Sequence, residues 1–252
     1  MKLNLEGKKV FISGSSRGIG LSIASKFLEE GARVILNSRK KNDLEALVKD
    51  NNDFDFIAGD VSNPKEAKKI ADSISDKFKG LDILVCNVGS GKSVPPGKEN
   101  QNEWQKSFSK NFFSATNLIE ASIPLLEGSH GSIVCISSIC GVEHIPDAPI
   151  TYSVAKNALN AYIKFSSFSL AKKGIKINGV VPGNINFPGS IWNKKLEENP
   201  RDAKKMIKES VPMNKLGSPL DISNLVIFLS SSMNQFSTGS LFYSDGGQTR
   251  SI

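Results

Sequence analysis

Tyr152 and Lys156 are spaced for proton transfer, because they lie four residues apart and would share one face of a helix. A phenol has a pKa of about 10 and is a poor acid or base at neutral pH, but a nearby ammonium group favours the phenolate and lowers that pKa. Tyr152 can then donate a proton to a substrate oxygen or accept one. Ser138 precedes Tyr152 in the sequence and can donate a hydrogen bond to the same oxygen, stabilising charge that develops there.

The local sequence also allows other interpretations of these residues. A Tyr followed by Lys at this spacing is usually an ordinary exposed helix, so the pair needs support from the rest of the chain. Ser137 is the alternative to Ser138. His144 lies between Ser138 and Tyr152, where it either lines the same pocket or is a plain loop residue.

A glycine-rich turn, Gly14-Ser15-Ser16-Arg17-Gly18-Ile19-Gly20, follows an apolar run and opens a segment with helical spacing. The three glycines let the backbone turn tightly and approach a pyrophosphate, and the N-terminus of the helix presents its positive dipole end to phosphate groups. Such a turn alone is weak evidence, because it also occurs as plain structure.

Short apolar, β-branched runs alternate with helical segments along the whole chain. The predicted strands are Lys9–Ser13, Arg33–Asn37, Phe54–Ala58, Ile83–Cys86, Ile133–Ile136, Ile175–Val180 and Leu241–Tyr243. This alternation predicts a parallel sheet with helices on both faces, joined by right-handed crossovers. The segments Ser90–Asn100 and Gly183–Pro200 look irregular and follow strands, so we expect them at the carboxyl edge of the sheet, where ligands bind in this architecture.

Composition narrows the class of protein. The chain has 252 residues, of which 39% are hydrophobic and 23% charged, as in an ordinary globular domain. The sequence has no apolar run of about 18 residues and no signal-peptide pattern at its start, so we expect no membrane partner and a cytoplasmic location. Cys86, Cys135 and Cys140 have no metal-ligand spacing, so we expect no metal site, and the first two should be buried strand residues.

The net charge of +7 is concentrated in the C-terminal half, at residues 164–176 and 190–215. One interpretation is a solvated lysine-rich surface. The other is attraction of an anionic substrate, carrier or phosphate group. No basic motif interleaved with aromatic residues is present, so a nucleic-acid partner is not expected.

The glycine spacing GxxxGxG resembles that of the short-chain dehydrogenase/reductase family, and the resemblance extends along about 240 residues. The matching motifs are Gly59-Asp60-Val61, Asn87-Val88-Gly89, Asn111, Ile136-Ser137-Ser138, Tyr152-Ser-Val-Ala-Lys156, Pro182-Gly183 and Asp245-Gly246-Gly247. The resemblance implies a single Rossmann-like, doubly wound α/β domain over residues 1–252. Its cofactor half would span about 1–130 and its catalytic and substrate half about 131–252, with a lid at about 183–212.

The resemblance also implies hydride transfer between a nicotinamide cofactor and a small carbonyl or alcohol substrate. Tyr152 would be the general acid/base, Ser138 would bond the reacting oxygen, Lys156 would hold the nicotinamide ribose, and Asn111 would position a water molecule. The residues expected to bind the cofactor are Gly14, Ser16, Arg17, Gly18, Ile19, Gly20, Ser38, Arg39, Asp60, Val61, Asn87, Gly89, Tyr152, Lys156, Pro182, Gly183 and Ile185.

The end of the second predicted strand favours NADP(H) over NAD(H). Ser38 stands where NAD-selective folds place an acidic residue on the ribose 2′-hydroxyl. With no carboxylate to repel it, a 2′-phosphate is tolerated, and Arg39 and Arg17 can bind it as forks. The alternative is that both arginines are solvated loop residues. NADPH implies that reduction is the usual direction.

Two features depart from the family pattern. Phe187 occupies the place of a Thr that contacts the carboxamide in the family, and Trp192 follows in the same apolar loop, so the two rings either form a substrate lid or pack the loop down. The link Ala171–Gly174 is shorter than usual by about three residues.

Three functions remain as alternatives. The resemblance to 3-oxoacyl-acyl-carrier-protein reductases suggests a carrier-linked thioester substrate. A keto-sugar or sugar-nucleotide reductase is the second, because four side chains could bind hydroxyl groups: Asn184, Asn186, Asn193 and Ser93. The third, a catalytically silent NADPH-binding regulator, conflicts with the intact catalytic motif. The family also implies a homotetramer or homodimer formed through predicted helices at about Asn102–Leu126 and Tyr152–Lys172.

Overall fold

A computed structural model describes residues 2–250 and contains one parallel sheet of seven strands. The strands are β1 (Lys9–Ile12), β2 (Arg33–Ser38), β3 (Phe54–Ala58), β4 (Ile83–Cys86), β5 (Ser132–Ile136), β6 (Lys176–Pro182) and β7 (Leu241–Ser244). Their order across the sheet is β3-β2-β1-β4-β5-β6-β7, and every neighbouring pair is parallel. The predicted strands are all present, and the doubly wound α/β class is confirmed.

Helices cover both faces of the sheet. They are α1 (Gly18–Glu29), α2 (Lys41–Asp50), α3 (Pro64–Phe78), α4 (Gln101–Phe108), α5 (Ser114–Glu127), α6 (Ile150–Ala171), α7 (Ile191–Glu198), α8 (Pro200–Ser210) and α9 (Pro219–Ser230). Their starts follow from local chemistry. The Asn63 side chain accepts hydrogen bonds from the first turn of α3, and Ser218 with Asp221 forms a capping box at α9.

Two apolar cores, one on each face, account for the stability of the sheet. Ile12 belongs to the core shared with Phe27, and the adjacent Phe11 belongs to the opposite core shared with Ile163. Successive residues of a strand point to opposite faces, so a central strand covered on both sides must be apolar throughout. Cys86 and Cys135, paired in register on β4 and β5, are buried in the second core, as predicted.

Helices α4 and α5 form one rod that is interrupted by a wide π-helical turn at Ser109–Phe113. Asn111 lies in this turn and is buried. The sequence predicts an uninterrupted helix here, because a single extra residue in one turn leaves the apolar periodicity almost unchanged. Such turns frequently occur at functional sites.

The expectation that Gly183–Pro200 is irregular throughout is wrong. After an extended stretch, this segment forms α7, and α8 begins at Pro200. Ser190 caps α7 by accepting a 3.0 Å hydrogen bond from the main chain of Asn193. Both helices are short and mostly polar. The Ser190 cap starts α7, whereas α8 begins with Pro200 in its first turn and packs through an apolar face that includes the buried Ala203.

Within residues 2–250, no helix combines the length and apolar character needed to cross a membrane. No group of three or more His, Cys, Asp or Glu side chains in that range is arranged to hold a metal ion.

Candidate active site

The sequence motifs converge at the carboxyl edge of the sheet. The glycine-rich turn follows β1, the segment beginning at Asn87 follows β4, Ser138 follows β5, and Gly183 follows β6. Strands β1 and β4 are neighbours, and the chain leaves them toward opposite halves of the sheet. A crevice at such a switch point is where open α/β sheets bind their ligands.

Asn87 holds the glycine-rich turn in its shape. Gly14 and Gly18 have φ angles of 64° and 58°, in the left-handed region that favours glycine. The Asn87 amide donates hydrogen bonds to the carbonyl oxygens of Ser13 (3.1 Å) and Gly14 (2.9 Å). A Cβ atom on Gly20 would lie within 3 Å of both Gly14 O and Asn87 Nδ2, so α1 can approach the turn only through a glycine.

A second brace of buried polar side chains supports the same turn. Ser15 Oγ donates to Ile12 O (2.8 Å) and accepts from the main chain of Asn37 (2.9 Å). The Asn37 side chain donates to Ile57 O (2.9 Å), joining the ends of β1, β2 and β3. Ser15 and Asn37 were not among the predicted site residues, although a polar residue that ends an apolar strand was a visible signal in the sequence.

Ser38, Arg39 and Asp60 lie together beyond β2 and β3. Arg39 Nη1 forms a long ion pair of 3.8 Å with Asp60 Oδ2, and the Arg39 side chain is 69% exposed, so its guanidinium group has further donors to offer an anion. Ser38 Oγ accepts a hydrogen bond from the Lys40 main chain, and no acid stands on that strand end. Val61 is buried in the core, so any cofactor contact it makes uses its main chain.

Arg17 and Gly18 lie against the segment at about 183–212, for which a lid was expected and which we call the lid. Arg17 therefore does not join Arg39 at the end of β2. A Cβ atom on Gly18 would lie 2.5 Å from Phe187 Cε2, and one on Gly189 would lie 3.7 Å from Arg17 Nη1. Phe187 therefore lies directly on the glycine-rich turn and packs against the first core. Ser16 and Ile19, in the same turn, are partly exposed and border the groove.

Asn111 fixes the loop that follows β4. Its Oδ1 accepts a 2.7 Å hydrogen bond from the main chain of Ser90, and its Nδ2 donates to Ser90 O (3.2 Å) and Ser107 O (3.1 Å). A Cβ atom on Gly89 would lie 3.2 Å from Asn111 Oδ1 and 3.1 Å from Lys156 Nζ. The two side chains thus converge on an exposed glycine, which leaves room for a ligand above it.

Lys156 is buried, and its ammonium group donates a 2.7 Å hydrogen bond to the carbonyl oxygen of Ile136. Burial penalises the charged form and lowers the pKa of Lys156 to about 8. Close packing sets this position, because a Cβ atom on Gly141 would lie 2.7 Å from the Lys156 main chain. Gly141 therefore lets the turn that carries Ser138 approach α6.

The expected lowering of the Tyr152 pKa is wrong for the protein without cofactor. Burial raises the pKa of Tyr152 above its usual range, and a hydrogen bond with Ser138 opposes that shift only in part. The Lys156 ammonium group is directed to Ile136 O, so it does not offset the burial of the phenol. Tyr152 is consequently a neutral phenol at physiological pH.

The two candidate serines, Ser137 and Ser138, have different hydrogen-bond partners in the structure. Ser137 Oγ donates a 2.5 Å hydrogen bond to Asn160 Oδ1, and Asn160 in turn donates to Gly141 O, which makes Ser137 part of the internal framework. Ser138 instead faces Tyr152 and accepts a 3.2 Å hydrogen bond from the Cys140 main chain. Ser138 is therefore the serine positioned to bond a substrate oxygen.

Two loops meet above Tyr152. A Cβ atom on Gly91 would lie 3.5 Å from Ile191 Cδ1 and 3.8 Å from Tyr152 Cε1. Ile191 begins α7, so the lid and the loop after β4 both border the phenol. Trp192 points its ring toward Lys195, whose Nζ lies 5.0 Å from the ring centroid. His144 is exposed in the loop before α6.

The chain that follows β6 packs against two other segments at the same edge of the sheet. The Gly183 main chain donates to Ser244 O (3.0 Å), and a Cβ atom there would lie 2.7 Å from Asp245 Cα, so the Pro182-Gly183 turn packs closely on the Asp245 segment. Ile185 is buried and forms a parallel bridge with Gly217.

The groove fits a nicotinamide dinucleotide. The turn at Gly14–Gly20 offers main-chain amides to a pyrophosphate, Arg39 offers a cation at one end, and Lys156 with Asn111 borders an open glycine at the other. When bound, such a cofactor supplies or accepts a hydride.

Comparison with known proteins agrees with this geometry. The family model described as enoyl-(acyl carrier protein) reductase matches residues 14–249. The 3-oxoacyl-[acyl-carrier-protein] reductase FabG of Chlamydia pneumoniae is 31% identical over 256 residues, covering 99% of this chain and 100% of that protein. L-sorbose reductase from Gluconobacter frateurii, solved with NADPH and L-sorbose, matches with a TM-score of 0.92 at 29% identity over 100% of both chains. The RhlG/NADP active-site complex of Pseudomonas aeruginosa gives a TM-score of 0.89 at 27% identity over 98% of both chains.

The sheet, its cofactor groove and these matches define an NADP(H)-dependent oxidoreductase of the Rossmann class. Within that class, the chain belongs to the short-chain dehydrogenase/reductase family. The predicted family, enzyme class and cofactor are therefore confirmed.

Proposed function

We propose that this protein reduces a carbonyl group to an alcohol with NADPH, and that Tyr152 donates the proton. The observation that carries the proposal is the meeting of Tyr152 and Ser138 at the end of the groove, with Lys156 one turn along the same helix. Asn111 and Lys156 face the same glycine, Gly89, which places a second pair of polar groups beside the first.

The proton chemistry follows from the environments of these side chains. Tyr152 holds its proton at neutral pH because burial raises the pKa of the phenol, so it is ready to act as an acid in the direction of reduction. Ser138 Oγ donates a hydrogen bond to the substrate oxygen and stabilises the charge that develops there. Lys156, with a pKa of about 8, is charged at neutral pH, and we expect it to hold the nicotinamide ribose.

A 3-oxoacyl thioester is the substrate class that we favour. The opening above Tyr152 is bordered by Gly91 and Ile191, which suits an acyl chain. Two of the side chains suggested for binding sugar hydroxyls are already engaged: Ser93 Oγ bonds Thr151 Oγ1 at 2.7 Å, and Asn193 Oδ1 accepts from the Gly189 main chain at 3.0 Å. A keto-sugar remains the second candidate, on the similarity to a sorbose reductase.

The proposal is tested by measuring the consumption of NADPH from the decrease in its absorbance. Wild type and Tyr152→Phe would be assayed with acetoacetyl thioesters and with a panel of keto-sugars and diketones. We expect thioester turnover that falls by about 10²–10⁴ in Tyr152→Phe, while NADPH still binds. Turnover of keto-sugars alone would replace the favoured substrate class. NADPH binding without turnover of any carbonyl would favour the silent regulator and contradict the proposal.

We also propose a homodimer or homotetramer formed through α4–α5 and α6. Phe165 and Phe168 on α6 are 81% and 71% exposed, and aromatic contacts such as Phe112–Tyr162, with ring centroids 6.1 Å apart, join α6 to the rod formed by α4 and α5. Phe165 and Phe168 are three residues apart on α6 and form one exposed apolar patch, and contiguous patches of this kind mark protein interfaces. Light scattering should show that Phe165→Lys with Phe168→Lys dissociates the assembly, whereas Phe165→Leu should preserve it. A monomeric wild type would refute the proposal.

A further inference from the structure

The basic stretch at 164–176 is largely engaged within the fold. Lys173 pairs with Glu127, and Lys176 donates to the carbonyl oxygen of Asn234. Lys172 lies over the Phe168 ring, 4.3 Å from its centroid. These lysines therefore contribute less free charge to the surface than the sequence suggests.

The lid carries a different basic cluster, which surrounds a cleft. The cleft has a volume of about 390 Å³ and is lined by Lys204, Ile207, Lys208, Asn214 and Lys215. Lys204 and Lys208 are one helical turn apart on α8, so their side chains share a face. Asn214 adopts a left-handed φ of 53°, which turns the chain after α8 and brings Lys215 to the same concavity. We call this concavity the lid cleft.

The three lysines of the lid cleft form no ion pair within residues 2–250, whereas the adjacent Lys205 pairs with Glu209 at 3.9 Å. Lys215 does face a carboxylate at longer range, because it adds to the hydrogen bonds from Ser218 in lowering the pKa of Asp221. Lys204 and Lys208 therefore carry most of the free charge of the cleft. Three like charges around one depression repel each other, and that repulsion is relieved when an anion binds between them.

We propose that the lid cleft binds a phosphate group carried by the substrate. Lysine binds phosphate as a point charge, and a phosphate group has enough oxygens to meet three ammonium groups together. The Ile207 side chain gives the cleft an apolar wall for the part of the ligand next to the phosphate. The proposal rests on the proposed function, because it assigns this phosphate to the molecule that is reduced.

The lid connects the cleft to the reacting end of the substrate. Helix α7 begins at Ile191, beside Gly91 and Tyr152, and α8 follows it directly. A substrate with its carbonyl at Tyr152 and its phosphate on α8 would lie along the lid. Both candidate classes include such molecules: a phosphopantetheine thioester and a sugar nucleotide.

A matched pair of substrates tests the phosphate contact. The variant Lys204→Gln/Lys208→Gln/Lys215→Gln would be compared with Lys49→Gln/Lys65→Gln/Lys69→Gln, which removes three exposed lysines from α2 and α3. Each would be assayed with acetoacetyl-4′-phosphopantetheine and with acetoacetyl-pantetheine, which lacks the phosphate. A keto-sugar nucleotide and the free keto-sugar form the second pair and identify the source of the phosphate.

We expect the cleft variant to raise KM about tenfold for the phosphate-bearing member of one pair, with kcat unchanged, as fits the loss of three exposed charge contacts. KM for the phosphate-free member should stay constant, and the control variant should behave as wild type. Equal changes of KM for both members, or no change for either pair, would overturn the proposal.

A binding measurement separates this proposal from the proposed function. If wild type reduces no carbonyl, the proposed function fails, and the cleft is then tested by calorimetry with 4′-phosphopantetheine on protein saturated with NADP⁺. Saturation keeps the phosphate out of the cofactor groove. Binding to wild type and the control variant, but not to the cleft variant, would support the cleft as a phosphate site. Absence of binding to wild type would overturn it.

Discussion

Lys156 Nζ donates its 2.7 Å hydrogen bond to the carbonyl oxygen of Ile136, two residues before Ser138. This bond ties α6 to the end of β5, so the helix that carries Tyr152 and the strand that delivers Ser138 have one fixed relation. Lys156 therefore contributes to the site as a tether as well as a charge. Its burial has a consequence for stability that can be measured.

Lys156→Met should change how stability depends on pH. The pKa of Lys156 falls from 10.5 unfolded to about 8 folded, so the unfolded state binds more protons between these values and the free energy of unfolding rises with pH there. Between pH 7 and pH 9.5, wild type without cofactor should gain about 2 kcal/mol relative to the variant. Denaturant unfolding at the two pH values measures this.

The control for this experiment is Lys65→Met, which removes an exposed lysine from α3. Its difference in unfolding free energy from wild type should be the same at both pH values. A Lys156→Met difference that is equally constant would show that Lys156 keeps its charge throughout this range.

Ser137→Ala and Ser138→Ala should have opposite effects. Ser137→Ala leaves the buried Asn160 Oδ1 without its donor, so unfolding free energy should fall by about 1–3 kcal/mol with kcat nearly unchanged. Ser138→Ala should retain most stability and lower kcat by about 10²–10³, because the developing charge loses a donor. Thermal unfolding and kinetics on the same samples would reveal a reversed pattern, which would assign the substrate contact to Ser137.

Arg39→Ala should weaken NADPH binding selectively. Arg39 is largely exposed, so the loss of its charge-assisted contact to the 2′-phosphate should raise the Kd for NADPH about tenfold. The Kd for NADH, which lacks that phosphate, should stay the same. Fluorescence titration of both cofactors provides the test, with the adjacent exposed residue in Lys40→Ala as control. Equal weakening of both cofactors would place Arg39 away from the 2′-phosphate.

Gly18→Ala should destabilise the protein through two separable causes. A methyl group there meets the Phe187 ring and must adopt a φ of 58°, so we expect a loss of about 1–3 kcal/mol in unfolding free energy. Adding Phe187→Ala removes the collision but not the backbone strain. The double variant should therefore lose less than the sum of the two single losses, as a double-mutant cycle would measure. Strict additivity would show that residues 18 and 187 do not touch.

Local spacing allowed much of this protein to be predicted. Tyr152, Lys156 and the glycine-rich turn are each encoded within a few residues, and the seven strands follow from apolar runs. The brace between Ser15 and Asn37 joins positions far apart in sequence, so no local pattern specifies it. The direction of the Tyr152 pKa shift was mistaken for a related reason, because burial is a property of packing rather than of spacing.

The lid helices were missed for a different reason. Residues of α8 are mostly exposed, and its apolar face is limited to Ala203, Met206 and Ile207 in an otherwise charged segment. Ser190 caps α7, and Pro200 occupies the first turn of α8, where its missing N–H costs no hydrogen bond. Ser190 and Pro200 can each be recognised in the sequence as a residue that favours a helix start. The surrounding glycine, proline and asparagine residues nevertheless favoured the prediction of an irregular loop.

The wide turn at Ser109–Phe113 makes the site vulnerable to the loss of one residue. Each residue of an α-helix advances the chain by about 100°, so deleting one residue from this turn would convert the rod into a regular helix and rotate everything on one side of it. The repaired helix would gain regular hydrogen bonds, while Asn111 would turn away from Ser90. At this point the fold keeps an irregular turn that places Asn111 against the loop after β4, and a sequence optimised for helix stability alone would remove it.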